Sequence, residues 1–334
     1  MNWGMLGHEW AVDLLRQHVA RGEVSHAYLF SGPRGIGRRT LALRLAQALN
    51  CTQSPASEEP CRTCRTCTQI DRMQHPDLAL IQSDQEGGTI KVDRIRELQR
   101  YLAFNPYEAR YRVAVLLRFE EANLNAMNAL LKTLEEPAPQ VVLVLTAESV
   151  ESLLPTIVSR CEVLRLRPLS INQVSQGLQS SWSLPGEKAQ LLAHVSCGRP
   201  GYALRLFQEP HHFDQRHIWL EEHDRLLSAN RAERFSFAES RSKEKDILRS
   251  LVLVWLSYWR DILLKAVGTR TPVSNIDRAP KIEQLASLLG SRIAFQMVAE
   301  LERTLTLLER NINARLVIEV LMLDLPSISE ELAV

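Results

Sequence analysis

Long apolar runs are scarce in this chain of 334 residues. The longest stretches, such as residues 251–259, fall well short of the roughly 18 residues that a membrane-spanning helix needs. An excess of one charge is also lacking, because 40 Lys and Arg residues stand against 39 Asp and Glu residues. A protein that coats nucleic acid through a polybasic surface is therefore not expected. The N-terminus does not resemble a signal peptide, so we expect a cytoplasmic protein.

The sequence also has no repeat of fixed period, no low-complexity tract and no heptad run long enough for a coiled coil. With 45% hydrophobic and 24% charged residues, its composition is that of an ordinary globular protein rather than a disordered one. At about 150 residues per domain, the length predicts two to three domains, each able to bury its own core.

The first 167 residues alternate short apolar runs with helical patterns, which is typical of a parallel sheet with crossover helices. We predict a strand over residues 26–30, a glycine-rich loop over 31–37 and a helix over 38–49. Residues 112–117 and 141–147 are continuous apolar runs, as in strands buried on both faces, and residues 122–135 read as a helix between them. The sequence thus predicts an α/β domain over residues 1–167.

From residue 168 onward the pattern is helical. Three short segments, 170–180, 186–197 and 199–208, predict a small helical domain over residues 168–208. After a polar break, helical patterns at 246–267, 281–289 and 291–325, with room for an interruption around 311–313, predict an all-α domain over residues 209–334. Trp255, Trp259 and Leu321 are candidates for the core of that domain or for an interface.

Four of the six cysteines lie within 17 residues. In a reducing cytosol such a cluster favours metal ligands over disulfides. Four thiolates complete a tetrahedral zinc site and leave no position for water, so we expect a structural zinc ion in a module at about residues 50–75. Free buried thiols and an iron–sulfur cluster are the alternatives. The proposed ligands are Cys51, Cys61, Cys64 and Cys67.

A glycine-rich loop between the first strand and its helix is the candidate phosphate site, since backbone N–H groups and a helix N-terminus can bind phosphate there. The loop departs from the pattern G-x-x-x-x-G-K-[ST], because Arg38 replaces the lysine and Arg39 replaces the magnesium-binding Ser or Thr, with Thr40 one residue late. A turn without ligand, nucleotide binding without hydrolysis, and hydrolysis all remain open. The loop glycines are Gly32, Gly35 and Gly37.

A hydrolytic site also needs an acidic pair at the end of the next central strand to organise magnesium. At that position the sequence has Leu117 and Arg118. Glu120 and Glu121 follow, and we interpret them as the solvated start of a helix. Two separate parts of one catalytic apparatus are therefore defective, and we expect that ATP and Mg²⁺ are not bound productively by this chain.

The order of several segments resembles the bacterial clamp-loader AAA+ subunits of DNA polymerase III. The segments are GHEWAVDLLR, SHAYLFSGPRGIGRR, the four clustered cysteines, HPD at 75–77, NALLKTLEEP at 128–137, LLPTIVSRC at 153–161 and RNINARLVIEVLML at 310–323. The resemblance implies an AAA+ α/β domain with an inserted zinc module, a small helical lid and an all-α collar domain. It also implies that the substituted positions separate this chain from the ATP-hydrolysing gamma/tau members.

In that family the SRC motif projects its arginine into the ATP site of the neighbouring subunit. The resemblance therefore implies that Arg160 acts in trans as an arginine finger and that Ser159 caps or positions the loop. Without the resemblance, Arg160 would be interpreted as a surface arginine that pairs with a carboxylate. A guanidinium can stabilise the charge that develops on the γ-phosphoryl oxygens. Gly201 stands where the family's ATPases carry an arginine that reaches the nucleotide. Thr146 matches the position of a polar nucleotide sensor in the family, and an ordinary threonine at the end of a strand is the alternative.

These features together predict a non-hydrolysing stator subunit of the replicative clamp loader. Its implied partners are the gamma/tau ATPase subunits, the delta subunit, the sliding clamp and primed DNA, with no membrane partner. One alternative is an active gamma/tau-like ATPase that uses Arg38 in place of lysine. The other is a zinc-dependent DNA-binding protein with a vestigial nucleotide fold, which the near-zero net charge disfavours.

Overall fold

The computed structural model describes residues 2–53, 59–84, 88–243, 245–309 and 312–328. Residues 54–58 of the predicted zinc module, residues 310–311 at the predicted interruption and residues 329–334 of the predicted collar lie outside this description. The chain divides into two compact units. Unit 1 comprises Met1–Gly177 and Gly198–Tyr202, and unit 2 comprises Leu178–Cys197 and Ala203–Val334.

Unit 1 is built on a five-stranded parallel sheet with the strand order β2-β3-β4-β1-β5. Its strands are β1 (Ala27–Ser31), β2 (Leu78–Ile81), β3 (Arg112–Leu116), β4 (Val141–Ala147) and β5 (Glu162–Arg165). Every residue of the three central strands β1, β3 and β4 is buried, which explains their continuous apolar runs. The predicted parallel sheet is therefore present.

Helices cover both faces of this sheet. They are α1 (Glu9–Arg21), α2 (Arg38–Asn50), α3 (Arg65–Asp71), α4 (Val92–Leu102), α5 (Leu124–Glu135) and the short α6 (Pro155–Val158). Two separate clusters of buried side chains result, one on each face. Leu41 and Leu45 of α2 pack with one face, whereas Leu130 and Leu134 of α5 pack with the other. Alternating β1 residues contribute to both clusters, with Tyr28 on the first face and Leu29 on the second.

Asp77, the last residue of the HPD segment, fixes the loop that leads from α4 to β3. Its buried carboxylate accepts hydrogen bonds from the backbone N–H groups of Tyr107, Glu108 and Ala109 at 2.7–2.9 Å. It also forms an ion pair with the buried Arg112 at 3.1 Å. Although burial raises the pKa of Asp77, these donors lower it below the ordinary value of 3.8. The HPD aspartate thus holds the loop by charge-assisted hydrogen bonds.

The remaining helices begin with α7 (Ile171–Trp182), α8 (Gly186–Val195) and α9 (Pro200–Gln208). They continue with α10 (Pro210–Ser228), α11 (Arg231–Arg241), α12 (Lys245–Ala266), α13 (Ala279–Glu309) and α14 (Ala314–Asp324). Helix α13 is kinked at Gly290, whose φ of 69° and ψ of 174° are not helical, at the point where the sequence separates 281–289 from 291–325. The helical C-terminal region is thus as predicted.

The core of unit 2 is rich in aromatic side chains. Trp255 and Trp259 are fully buried, and Leu321 is 1% exposed, so all three belong to this core rather than to an exposed face. The Trp259 indole donates to Nε2 of the buried His223 at 2.8 Å. The indole nitrogen thereby keeps a hydrogen-bond partner inside the core.

A buried arginine joins the C-terminal ends of two helices in unit 2. Arg234 on α11 is 7% exposed and donates to the carbonyls of Leu226, Leu227, Met322, Leu325 and Pro326. These carbonyls close the ends of α10 and α14, where four C=O groups lack helical partners. Burial lowers the pKa of this guanidinium, but its donors are satisfied by helix-end carbonyls, which carry partial negative charge.

Candidate functional site

The glycine-rich loop joins β1 to α2 at the carboxyl edge of the sheet. Its glycines have φ values of 149° at Gly32, 78° at Gly35 and 115° at Gly37. Residues with a Cβ rarely adopt these conformations, so the loop depends on its glycines. Gly37 is the N-cap of α2, which leaves the N-terminus of this helix next to the loop. The backbone therefore has the form of a phosphate-binding loop.

The first turn of α9 rests directly on this loop. The Gly35 carbonyl accepts hydrogen bonds from the backbone N–H groups of Gly201 at 2.8 Å and Tyr202 at 3.3 Å. A Cβ at Gly35 would lie 2.8 Å from Tyr202, and one at Gly201 would lie 2.9 Å from the Gly35 carbonyl. Gly201 thus lets the backbone of α9 approach the glycine-rich loop closely, and it places no charged side chain there. The neighbouring Arg199 guanidinium instead stacks on the Tyr202 ring at 4.6 Å.

The basic residues at the start of α2 differ in their environments. Arg38 is 7% exposed, and its Nη1 has no hydrogen-bond partner, whereas Arg39 and Thr40 are exposed. Burial lowers the pKa of Arg38, while the carboxylates of Glu120 and Glu148 raise it. The guanidinium therefore lies near two acidic side chains of its own chain.

The expectation that Glu120 and Glu121 form a solvated helix start is wrong. They lie in a 3-10 turn, Phe119–Glu121, that separates β3 from α5, and neither residue is exposed. Burial raises the pKa of Glu120, although the nearby Arg38 guanidinium lowers it. One oxygen of Glu120 accepts from the Glu148 backbone N–H at 3.2 Å, and the other, Oε2, is buried without a partner. The sequence pattern missed this burial because it depends on residues distant in the chain.

Two ion pairs occupy most of the acidic groups at this edge of the sheet. Arg118 donates to Glu121 at 2.8 Å, and Arg34 forms an ion pair with Glu148. The Ser83 hydroxyl donates to the second oxygen of Glu121 at 2.6 Å. With Arg38 near Glu120, three arginines face three glutamates, and the charges balance within the chain.

Thr146, at the end of β4, is buried and has a backbone partner. Its hydroxyl oxygen accepts a hydrogen bond from the Arg118 N–H at 2.9 Å. This hydrogen bond links the end of β4 to Arg118, which lies after β3 at a position where a hydrolytic site needs an acidic residue. Leu117, the other replaced position, is 5% exposed and packs with the core.

The clustered cysteines come together as predicted. The four Sγ atoms all lie within 4.8 Å of one another. Tetrahedral Zn²⁺ with Zn–S bonds of about 2.3 Å requires S–S separations of about 3.8 Å, and Cys61 and Cys67 are 3.9 Å apart. Cys51 follows the last residue of α2, and Cys64 is the N-cap of α3. Two helix ends therefore position the donors of this candidate metal centre.

Backbone groups also orient two of the sulfur atoms. The Cys64 N–H donates to Sγ of Cys61 at 3.3 Å, and the Cys67 N–H donates to Sγ of Cys64 at 3.4 Å. Although burial raises the pKa of the Cys64 thiol, the N–H of Cys67 and donors from Thr52 lower it to about 6. The thiolate form that binds a metal is thereby favoured at this position. The donor set and its spacing fit a structural zinc ion held by the four cysteines.

A second group of metal-type donors lies in unit 2, at the start of α10. It consists of Glu209, His211 and His212, whose donor atoms also lie within 4.8 Å of one another. However, Nε2 of His212 is 3.0 Å from Nε of Arg205. A cation thus lies at the atom that would bind a metal.

Arg160 lies on the surface between α6 and β5. Its Nη2 donates to Oε1 of Glu135 at 2.6 Å, and its Nη1 donates to the Thr156 carbonyl at 2.9 Å. The side chain of Arg160 is 34% exposed and that of Glu135 is 51% exposed. The Ser159 hydroxyl donates to the Thr156 carbonyl at 3.2 Å and lies 3.5 Å from Nη1 of Arg160. Ser159 and Arg160 therefore share one carbonyl at the end of α6.

Sequence reasoning missed the partners of these arginines. At the carboxyl edge of the sheet, the partners that were missed include Arg34, Glu148 and Ser83. At the surface, Glu135 binds Arg160. Glu148 directly follows β4, and carboxyl ends of parallel strands commonly form binding sites, so its position was an available signal. The pairing of Glu135 with Arg160 spans 25 residues and has no local signature.

Comparisons with known proteins support one family. A family model described as "DNA polymerase III, delta subunit" matches residues 7–170. The DNA polymerase III subunit delta' of Bacillus subtilis (strain 168) is 30% identical over 319 residues, which cover 94% of each chain. The chain belongs to the delta-prime family of DNA polymerase III subunits.

Other delta-prime and gamma proteins are similar over parts of the chain. The delta-prime subunit of Pseudomonas aeruginosa is 36% identical over 60% of this chain and 61% of its own. A gamma subunit of Buchnera aphidicola is 26% identical over 89% of this chain and 83% of its own. Among solved structures, a gamma subunit-related protein of Thermotoga maritima has a TM-score of 0.46 at 19% identity, covering 93% of this chain and 97% of its own.

Within the described residues, no helix is long and apolar enough to span a membrane.

Proposed function

We propose that this chain is a non-hydrolysing stator subunit of the replicative clamp loader. In this proposal it supplies Arg160 in trans to the ATP site of a neighbouring gamma/tau subunit, and Ser159 positions that arginine. Within the complex it helps to load the sliding clamp on primed DNA, together with the delta subunit. The proposal keeps the three domains expected from the sequence: an AAA+ domain over residues 1–167, a lid over 168–208 and a collar over 209–334.

The balanced charge network at the carboxyl edge of the sheet carries the non-hydrolysing part of this proposal. Magnesium-dependent hydrolysis needs carboxylates free to organise the ion. Here Glu121 is bound by Arg118 and Ser83, and Glu148 is bound by Arg34. Arg38 is buried near Glu120. Its guanidinium has no oxygen atom that could bind magnesium. Two of the three carboxylates beside the glycine-rich loop are therefore already bound within the chain, which supports a site without turnover.

The position of Arg160 supports the action in trans. Arg160 lies at the surface, and the contacts of its guanidinium are within its own chain to an exposed glutamate and a backbone carbonyl. A partly exposed arginine can exchange such a partner for a phosphate, whose oxygens it binds in bidentate fashion. Structural zinc held by the four cysteines belongs to the same proposal, as a support for the ends of α2 and α3.

The test compares the wild-type chain with Arg160→Ala in a loader reconstituted with its cognate ATPase and delta subunits. We expect the clamp- and DNA-stimulated ATPase rate to fall by the share of turnover that the neighbouring site contributes, while the complex stays assembled, because only that site loses its arginine. Arg165→Ala is the matched control, since Arg165 is an exposed arginine of the adjacent strand β5, and its rate should stay unchanged. An unchanged rate in Arg160→Ala with intact assembly would refute the role in trans.

One observation favours the gamma/tau-like ATPase as a second candidate. Oε2 of Glu120 is buried without a partner beside Arg38, so one carboxylate oxygen at this edge is not engaged by the chain. ATP turnover by the isolated chain that is abolished in Glu120→Gln would support this candidate. Turnover at the level of a blank reaction would exclude it.

A further inference from the structure

Arg160 is folded back on its own chain rather than extended. Its Nη1 binds the carbonyl of Thr156, four residues earlier, while its Nη2 binds Glu135. Both contacts lie along α6 and the end of α5, which are close to the backbone of Arg160 itself. A guanidinium in this conformation is retained at the surface of its own chain. To reach a nucleotide on another subunit, the side chain must leave at least one of these partners.

The contact joins two segments that have no local connection in the sequence. Glu135 is the last residue of α5, in the segment NALLKTLEEP, and Arg160 belongs to LLPTIVSRC. Of the two adjacent exposed glutamates, 135 and 136, it is Glu135 that the structure places against Nη2 of Arg160, at 2.6 Å. A substitution at Glu136 therefore removes one negative charge from the same region and leaves the contact between Glu135 and Arg160 in place.

We propose that Glu135 is a positioning residue for Arg160: it holds the guanidinium folded back until a triphosphate on a neighbouring subunit displaces it. This inference rests on the proposed function of Arg160. The ion pair suits such an exchange because both side chains are partly exposed, at 34% and 51%. An exposed ion pair shifts an equilibrium by only about two- to fivefold, so a triphosphate that binds the arginine by several hydrogen bonds can compete with it.

The ATPase assay of the reconstituted loader tests the proposal with Glu135→Gln, which keeps the size of the side chain and removes its charge. We expect kcat to rise by up to about fivefold and the KM for ATP to fall by no more than the same factor, because more of the Arg160 side chains are available to the neighbour and its triphosphate no longer displaces a charged partner. Glu136→Gln should leave both constants unchanged. In an Arg160→Ala background, Glu135→Gln should have no effect. A lowered or unchanged kcat in Glu135→Gln would overturn the proposal.

A second measurement uses the isolated chain and does not depend on the ATPase. Nitrogen-15 NMR of the arginine side chains reports rotation of the guanidinium groups. We expect hindered rotation at Arg160 in the wild type and in Glu136→Gln, and faster rotation in Glu135→Gln, where the contact with the Thr156 carbonyl is the one that stays. Equal rotation in all three would overturn the restraint. If Arg160→Ala leaves the ATPase rate of the loader unchanged while the NMR difference is present, the proposed action of Arg160 in trans is refuted. The proposed restraint of Arg160 by Glu135 then still stands.

Discussion

Replacement of Asp77 by Asn should destabilise unit 1 by about 3–5 kcal/mol at pH 7. The buried carboxylate accepts from three backbone N–H groups and from Arg112. An amide retains one acceptor oxygen and turns an NH₂ group toward the donors at the other position, so about two charge-assisted hydrogen bonds are lost at about 1.5–3 kcal/mol each. Arg112, which is 6% exposed, also loses its counter-ion.

The pH dependence of this difference follows from the lowered pKa of Asp77. The native carboxyl releases its proton more readily than the unfolded one, so its contribution is fully present above the unfolded value of 3.8. As the pH falls from 3.8 toward the lower native pKa, that contribution declines by about 1.4 kcal/mol per pH unit. The Asp77→Asn variant does not titrate here. The difference between the two proteins should therefore be largest at neutral pH and shrink below pH 3.8.

Hydrogen exchange of the β3 amides in increasing urea measures this difference for unit 1 alone. Asp93→Asn is the control, because the Asp93 side chain is 76% exposed on α4, and its effect should stay under about 0.5 kcal/mol. A loss of under about 1 kcal/mol in Asp77→Asn at pH 7, or a difference that is constant down to pH 3, would refute this account of the HPD segment.

Three further predictions concern the metal centre, unit 2 and the loop. Cys64→Ser should abolish binding of one equivalent of zinc, measured by elemental analysis, and speed hydrogen exchange of the α3 amides because the ion is lost, whereas Cys161→Ser should retain the metal. Arg234→Met should lower the stability of unit 2 by about 3–5 kcal/mol in urea unfolding, because five helix-end carbonyls lose their donor, and a loss under about 1 kcal/mol would contradict this. Arg38→Lys should not restore ATP turnover to the isolated chain, since Leu117 and Arg118 still replace the acidic pair, and measurable turnover would show that reasoning to be wrong.

The sequence predicted the buried parts of the sheet well because burial leaves a local signature. The run at 141–147 coincides with β4, the run at 112–117 extends one residue beyond β3, and the run at 26–30 lies one residue before β1 at both ends. The edge strands β2 and β5 were missed, since they have four residues each and, apart from the buried Leu164, their residues are partly buried or exposed. The break near residue 290 was visible because Gly290 interrupts the apolar helical pattern.

The candidate site was predictable where one segment supplies all of its groups. Cysteine spacing placed the four donors together, and the loop glycines have the positive φ values that their pattern predicts. The environment of Glu120 was not predictable, because the charge that lies near this buried carboxylate belongs to Arg38, about eighty residues away in the chain. The identity of the metal ion and the role of Arg160 in trans stay predictions.

Under the role proposed for Arg160, the place of β5 in the sheet gives this fold a function that does not depend on nucleotide binding. Arg160 lies two residues before β5, and β5 pairs with β1 in a register that sets Tyr28 opposite Glu162 and Ser31 opposite Arg165. A slip of that pairing by one residue would move the arginine by about 3.3 Å, more than the length of a hydrogen bond. The register between β1 and β5 thus sets the position of Arg160 along the strand direction. A chain that hydrolyses nothing would still have to keep this sheet intact, and substitutions in β1 should be tolerated only where they preserve the register.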